Sequence, residues 1–347
     1  MQKVISLIIP AYNMELLLPR AVESVLVPTH SDDVEILIVN DGSTDHTLDI
    51  ARRYEDEHTG NVVVIDKENG NYGSCINAAL RVAKGKYVKI LDADDYYDTA
   101  NFDLVVGEMK NLDVDLVVTR FVTVDANGNK GRPRNIHLPP GQTVRLADYV
   151  ADRSVQGLWM HEIAYRRENL IRMGYHQREG ISYTDVQWGF SPMATVKTLY
   201  YIDKLVYMYF VGREGQSVSA ETYRRRFAQE FECTEAMLDD YVRVRSDSSD
   251  IAAMMAAKME GRIAALYKRA LVNLGDFSNE AMVGFDEKVR QTVPRIHRQL
   301  GRRWLSFPLF PIRYIHLWRK DRDGWLLRQS VMLFRKYLAL SSMCSHR

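Results

Sequence analysis

The sequence predicts an α/β protein: a doubly wound, mostly parallel sheet followed by a helical C-terminal extension. Three observations predict it. Short β-rich runs alternate with helical patterns through about the first 100 residues. Each run is almost continuously apolar. After Ser219 the texture changes to long helical patterns alone. Alternation of this kind marks βαβ units. Continuous apolar runs suit strands that are covered on both faces.

The runs fall at residues 4–9, 35–39, 62–65 and 87–91, and the helical patterns between them at 14–26, 45–58 and 73–83. Ser43, Thr44 and Asp45 cluster where the second helix needs a cap. A further strand is expected over 113–124, closed by the turn Asp125-Ala126-Asn127-Gly128-Asn129. Residues 131–180, with Pro133, Pro139, Pro140 and Gly141, give no ordered pattern. Helices are expected over 222–245, 251–273 and 279–300. A domain boundary near residue 220 follows, dividing 1–219 from 220–347. A chain of 347 residues accommodates both parts, at roughly 100–200 residues per domain.

Bulk composition is that of a soluble globular protein, 46% hydrophobic and 26% charged. A net charge of +1 gives no global field for nucleic acid. The charge is unevenly spread, however. Residues 286–347 hold 14 Lys/Arg against 4 Asp/Glu, a net of +10, which leaves −9 on the remainder. Cys75, Cys233 and Cys344 are far apart and have no metal or disulfide spacing, which fits a reducing, cytoplasmic compartment. Residues 1–10 lack a signal-peptide pattern, and no apolar run reaches the roughly 20 residues of a membrane span.

The ends of the apolar runs carry the chemistry. They are Pro10-Ala11-Tyr12-Asn13, Asn40-Asp41-Gly42-Ser43, Asp66 and Asp92-Ala93-Asp94-Asp95. In a parallel sheet such ends share one edge, where ligands bind. Any one Asp there is ordinary turn chemistry; all of them together point to a site. Asp92 and Asp94, two apart in an extended segment, would point the same way. Such a pair can share Mg²⁺ or Mn²⁺, hard cations that take oxygen ligands and substrate phosphates.

Together, Pro10-Ala11-Tyr12-Asn13, Asn40-Asp41-Gly42-Ser43-Thr44-Asp45 and Asp92-Ala93-Asp94-Asp95 resemble family 2 glycosyltransferases of the GT-A fold. The resemblance is close over about the first 100 residues and weaker to 219. It implies that Pro10, Ala11 and Tyr12 flank a nucleobase and that Asp41 accepts a hydrogen bond from it. Asp92 would approach the ribose or sugar, and Asp94 would hold the metal at the diphosphate, with Asp95 able to stand in for either. Asn69-Gly70-Asn71-Tyr72-Gly73-Ser74-Cys75-Ile76-Asn77 matches the family's glycine-containing loop. Gly73 and Asn77 are then expected at the donor. Many members carry Arg where Ile76 stands; Arg213, in Arg213-Glu214-Gly215-Gln216-Ser217-Val218-Ser219, is the candidate replacement cation.

The reaction that the resemblance implies is inverting transfer from a nucleotide sugar, by family habit a UDP-sugar, to a glycan or lipid-linked acceptor. A single displacement needs a base for the acceptor hydroxyl. Asp185, in Gly180-Ile181-Ser182-Tyr183-Thr184-Asp185, stands where the family places Glu-Asp, with Thr184 replacing the Glu. Glu179 and Glu162 are its rivals, and a helix-capping role is the bland alternative for Asp185. Trp159 and His161 are acceptor-pocket candidates, against a default of core burial. The basic tail, which interleaves Arg/Lys with Trp, Phe and Leu, suits either peripheral contact with anionic lipid or a helical cap on the α/β domain. A sugar nucleotidyltransferase and a non-catalytic nucleotide-sugar-binding scaffold remain as alternatives. A dehydrogenase does not, since no Gly-x-Gly-x-x-Gly follows the first strand.

Overall fold

The computed structural model describes residues 3–212, 220–244, 248–304, 311–322 and 324–344. It contains two compact units, Met1–Ser219 with Arg243–Met254, and Ala220–Val242 with Met255–Arg347.

The first unit is built on a sheet of nine strands among the described residues. Strands β1 (Ile5–Ala11), β2 (Val34–Asp41), β3 (Val62–Lys67) and β4 (Tyr87–Ile90) are parallel, in the order β3-β2-β1-β4. Their apolar runs explain the arrangement, since every residue of β2 and β4 is buried. Strands β5 (Tyr96–Tyr97), β6 (Leu116–Val124), β7 (Thr143–Arg145), β8 (Ile163–Arg166) and β9 (Thr198–Phe210) complete the sheet. β8 lies antiparallel between β4 and β6, β9 runs parallel to β6, and β5 and β7 pair antiparallel with β9. β8 and β9 have no counterpart among the expected strands. β8 is only four residues long. β9 has Asp203 and Lys204 in its middle, close to where its register with β6 shifts.

Helices α1 (Leu18–Glu23), α2 (Thr47–Glu57), α3 (Asn71–Val82) and α4 (Thr99–Met109) connect the early strands. α1 is much shorter than the expected 14–26 pattern, because Pro19 fits only a first turn. α2 starts at Thr47, where the Asp45 carboxylate accepts from the Thr47 amide at 3.0 Å. α4 opens with Asp98 accepting from the Asn101 amide, also at 3.0 Å. The short helices α5 (Arg153–Gln156), α6 (Arg167–Arg172) and α7 (Asp185–Trp188) lie within or beyond the stretch that the sequence left unordered.

The second unit is helical. α8 (Ala220–Arg243) and α9 (Ser249–Tyr267) are long, and α9 runs on as a π-helical stretch, Lys268–Leu274. Gly275 ends it with φ 70°, the left-handed geometry that favours glycine. The single helix expected over 279–300 is two helices, α10 (Glu280–Thr292) and α11 (Pro294–Gly301). Pro294 cannot continue a helix but starts one well. α12 (Tyr314–Lys320) and α13 (Trp325–Cys344) follow. Phe231, Met259, Leu266, Phe285 and Trp318 are buried there. Glu230 is buried and paired by Arg262 and Arg269, as Asp286 is by Arg319 at 2.6 Å. No described helix is long and apolar enough to cross a membrane.

Candidate active site

Strand register sets the site. Ala11 lies beside Asn40, Asn40 beside Asp66, and Asp41 beside Lys67. The Leu91 amide bonds Ile8 O at 2.9 Å, which brings Asp92 to the same edge. Asn13, at φ 53°, ties the first two strand ends together: its amide donates to Ser43 Oγ at 3.0 Å, and its Oδ1 accepts from the Thr44 amide at 2.8 Å. Tyr12, beside them, is 48% exposed, whereas Ala11 is buried and Pro10 partly so. An open aromatic face next to buried small residues suits a flat heterocycle.

Asp41 is buried, and its Oδ1 collects three donors. These are Lys67 Nζ at 2.7 Å, the Gly70 amide at 3.0 Å and Ser74 Oγ at 3.4 Å. Lys67 also reaches Ser74 Oγ, at 2.9 Å. The carboxylate is therefore held rigidly between β2 and the start of α3.

The residues after β4 do not run extended. The Asp95 amide bonds Asp92 O at 2.9 Å, so the segment turns. The extended course expected from Asp92 to Asp94 is thus replaced by a turn, and the Asp94 charge still bears on Asp92. Among the described residues Asp92, Asp95 and His161 come together, each with a ligand atom within 4.8 Å of the others. Tyr72 donates to Asp92 Oδ1 at 2.7 Å. Tyr207 donates to Asp95 Oδ2 at 2.6 Å, and the Phe210 amide to Oδ1 at 2.7 Å. Burial, and then repulsion from Asp94, raises the Asp92 pKa, with Asp185 acting the same way. Burial followed by the charges of Asp92 and Asp94 raises Asp95. Asp94 therefore faces the same space, although it is not one of the three grouped residues. Arg20 donates to the Asp94 carbonyl at 2.7 Å, with its guanidinium over the Tyr96 and Phe210 rings at 4.5 and 4.6 Å.

His161 is buried among Phe121, Tyr207 and Tyr209, at ring-centre distances of 5.1, 4.7 and 4.6 Å. Burial, aided by Lys89, pushes its pKa down to about 3. It is thus a neutral imidazole, and its Nδ1 is buried with no hydrogen-bond partner among the described residues. Two crowded carboxylates and a neutral imidazole with an unused nitrogen fit a divalent cation. The default reading of His161 as a satisfied core residue is overturned. So is core burial for Trp159, which is 51% exposed.

Asp185 begins α7, and Thr184 occupies the cap position. Asp185 is thus an acidic group in the first turn of the helix. Its charge reaches Asp92, Tyr72 and Tyr209, which puts it at the same site. Of its rivals, Glu162 is buried, with its oxygens engaged by the Trp159 amide at 2.8 Å and Arg134 at 3.3 Å. Glu179 accepts from Asn77 Nδ2 at 2.7 Å.

Asn77 spends its whole amide on that same loop. Nδ2 also donates to Gln177 O at 2.8 Å, and Oδ1 accepts from the Gln177 amide at 2.9 Å. Gln177 Nε2 in turn holds Thr184 through its O and Oγ1, both at 3.0 Å. A Cβ on Gly73 would stand 2.0 Å from Arg178 O. Asn77 and Gly73 thus admit and clamp the loop leading to Asp185. Ile76 is fully buried in α3. Arg213 lies outside the described residues.

The family model described as Glycosyl transferase family 2 matches residues 6–174. That span covers the ends of β1 to β4 but neither Asp185 nor β9. Residues 6–174 are a family 2 glycosyltransferase domain. Among curated family 2 relatives, it is 28% identical over 211 residues to the uncharacterized glycosyltransferase EpsJ of Bacillus subtilis, covering 59% of this chain and 60% of EpsJ. It is 35% identical over 116 residues to the minor teichoic acid biosynthesis protein GgaB of the same species, covering 32% of this chain and 13% of GgaB. The crystal structure of S. aureus TarS 1–349 in complex with UDP-GlcNAc superposes with a TM-score of 0.65 at 19% identity, over 96% of this chain and 92% of that one. The likeness is that of a GT-A domain with a helical C-terminal region. The first curated relatives are spanned only in part, at 60%, 38% and 52% of their lengths.

Within the family frame, Tyr72, Lys67, Tyr207 and His161 are site residues that the sequence did not single out for their roles. Lys67 precedes the recognised Asn69–Asn77 loop and Tyr72 lies within it, which carried that much signal. Tyr207 belongs to the unexpected β9.

Proposed function

We propose that the chain is an inverting glycosyltransferase. It moves a sugar from a nucleoside diphosphate donor, of the uridine kind, to a hydroxyl of a polysaccharide or teichoic-acid-type acceptor. The observation that carries this reading is the convergence of Asp41, Asp92, Asp94, Asp95, His161 and Asp185 at one sheet edge. The acceptor class is supported by relatives such as the minor teichoic acid biosynthesis protein GgaB, and TarS has been crystallised with UDP.

Tyr12 stacks on the base, with Pro10 and Ala11 flanking it, and Asp41 accepts its hydrogen bond. Asp92, Asp95 and His161 would hold Mg²⁺ or Mn²⁺, and Asp94 adds negative charge beside them. When bound, the cation neutralises charge on the leaving diphosphate. Asp185 takes the proton of the acceptor hydroxyl as that oxygen attacks the anomeric carbon. Trp159, open to solvent, offers an apolar plane to the acceptor sugar. Arg213 stays a candidate phosphate contact on sequence grounds.

The test is turnover of a panel of nucleotide sugars by the full chain, with and without Mn²⁺, using polysaccharide and poly(polyol phosphate) acceptors. Donor-specific transfer is expected. Binding of nucleotide sugars with no transfer or hydrolysis under any condition would leave a binding protein and defeat the proposal.

A further inference from the structure

Helix α13 buries one face and leaves another bare. Leu327, Ser330, Val331 and Phe334 turn inward. Elsewhere on the helix, Trp325 is 73% exposed, Leu326 57%, Leu333 53%, Met332 42% and Tyr337 38%. At 3.6 residues per turn these five share one continuous arc beside the buried face. Residues 325 and 332 stand one heptad apart, as do 326 and 333, with 337 one turn further. A helix seated on a globular core is normally polar there.

The charge around the arc has one sign. From Trp325 to Cys344 there is no Asp or Glu, while Arg328, Arg335 and Lys336 are all present and exposed. Lys336 projects from within the apolar arc, where a lysine stem can lie along apolar surface and carry its ammonium outward. Arg328 and Arg335, one heptad apart, flank it. In the same unit Trp304 is 50% exposed, with the Arg313 guanidinium 4.5 Å over its ring. The stretch 286–347 as a whole carries 14 Lys/Arg against 4 Asp/Glu.

We infer that α13 is an interfacial anchor for an anionic phospholipid surface. Trp325, Leu326, Met332, Leu333 and Tyr337 enter the headgroup–acyl boundary, and Arg328, Arg335 and Lys336 meet headgroup phosphates. Charge complementarity selects this occupant: an anionic lipid surface offers an apolar layer to the arc and phosphates to the exposed basic residues side by side. No described helix can span, so the helix lies in the interface plane. The inference does not depend on sugar transfer.

The experiment is co-sedimentation of the full chain with vesicles of phosphatidylcholine alone and of phosphatidylcholine mixed with phosphatidylglycerol. Binding is expected to the mixed vesicles, to be weak on the neutral ones, and to fall at high salt through screening. Leu326→Glu combined with Leu333→Glu alters two exposed positions and should lower vesicle affinity at least about tenfold with an unchanged melting curve. Lys336→Glu should weaken binding to mixed vesicles alone. Should the double variant misfold, the lipid and salt dependence of the parent chain and the Lys336→Glu result still decide. No binding to mixed vesicles, equal binding to both kinds, or unchanged binding by the folded double variant would each overturn the inference. So would light scattering that shows an oligomer dissolved by the double substitution without any vesicle binding, because a second copy of the chain would then cover the arc.

Discussion

Asn77 separates two readings of the loop that precedes Asp185. Family resemblance puts Asn77 at the donor, whereas the structure gives its amide to Gln177 and Glu179 at 2.7–2.9 Å. Asn77→Ala removes those three hydrogen bonds and strands both backbone groups of Gln177, which is fully buried. A buried unsatisfied polar group costs about 1–3 kcal/mol, so two cost about 3 kcal/mol at the low-to-middle end. At about 2–4 °C per kcal/mol for a unit of this size, melting should fall by about 6–12 °C. The released loop carries Thr184 and Asp185, and a misplacement of about 1 Å in a reacting group can cost about 10²-fold. Transfer should therefore drop by at least about tenfold, while UDP affinity stays within a few-fold of the parent. Calorimetric titration of UDP, thermal melting and single-turnover transfer on one preparation decide the matter. A variant that melts normally and loses UDP affinity would refute the clamp and restore the donor contact.

The remaining predictions use the same three assays. Asp185→Asn should bind UDP normally and lose transfer by about 10²–10⁴-fold; near-parental turnover would return attention to Glu179. His161→Phe should fit the ring nest of Phe121 and Tyr209 without lowering the melting temperature, because it removes a buried Nδ1 that has no partner among the described residues. Its Mn²⁺ affinity by titration should nevertheless fall sharply, and an unchanged value would remove His161 from the metal site. Asp41→Ala should weaken UDP and UDP-sugar alike; equal binding by the mutant would make Asp41 a turn residue only. Gly73→Ala drives a Cβ to 2.0 Å from Arg178 O and should cost at least about 1–3 kcal/mol by forcing backbone apart; a variant of parental stability would contradict the packing of α3 on the loop.

What could be read from the sequence follows from how local each signal is. β1, β2 and β4 are each an apolar run ending in a recognisable tetrapeptide, and β3 is one ending at Asp66, so each run and its chemistry lie within a dozen residues of each other. The strand-end part of the candidate site was therefore legible as a cluster, down to Tyr12, Asp41 and Asp92. The remainder of the site is assembled at long range. β8 has four residues and owes its place to pairing with β4 and β6, so no local pattern announces it. Yet that pairing brings His161, just ahead of β8, to the end of β4. A lone histidine in an unpatterned stretch carries no spacing signal, and its character comes from neighbours such as Phe121 and Tyr209 on β6 and β9. β9 was missed for the opposite reason: it is long, but Asp203 and Lys204 break its alternation where the register shifts. Gly73 and Asn77 show the intermediate case. Their segment was recognised, but their partners are about 100 residues away, at Gln177 and Arg178. A glycine states only that something approaches closely, not what approaches. Family habit supplied a donor, and chain geometry supplies a loop. The contacts that hold the loop before Asp185 thus join segments that are individually featureless. Substitutions at Trp159, Gln177 and Thr184 should for that reason change acceptor choice before they change the nucleotide that is bound.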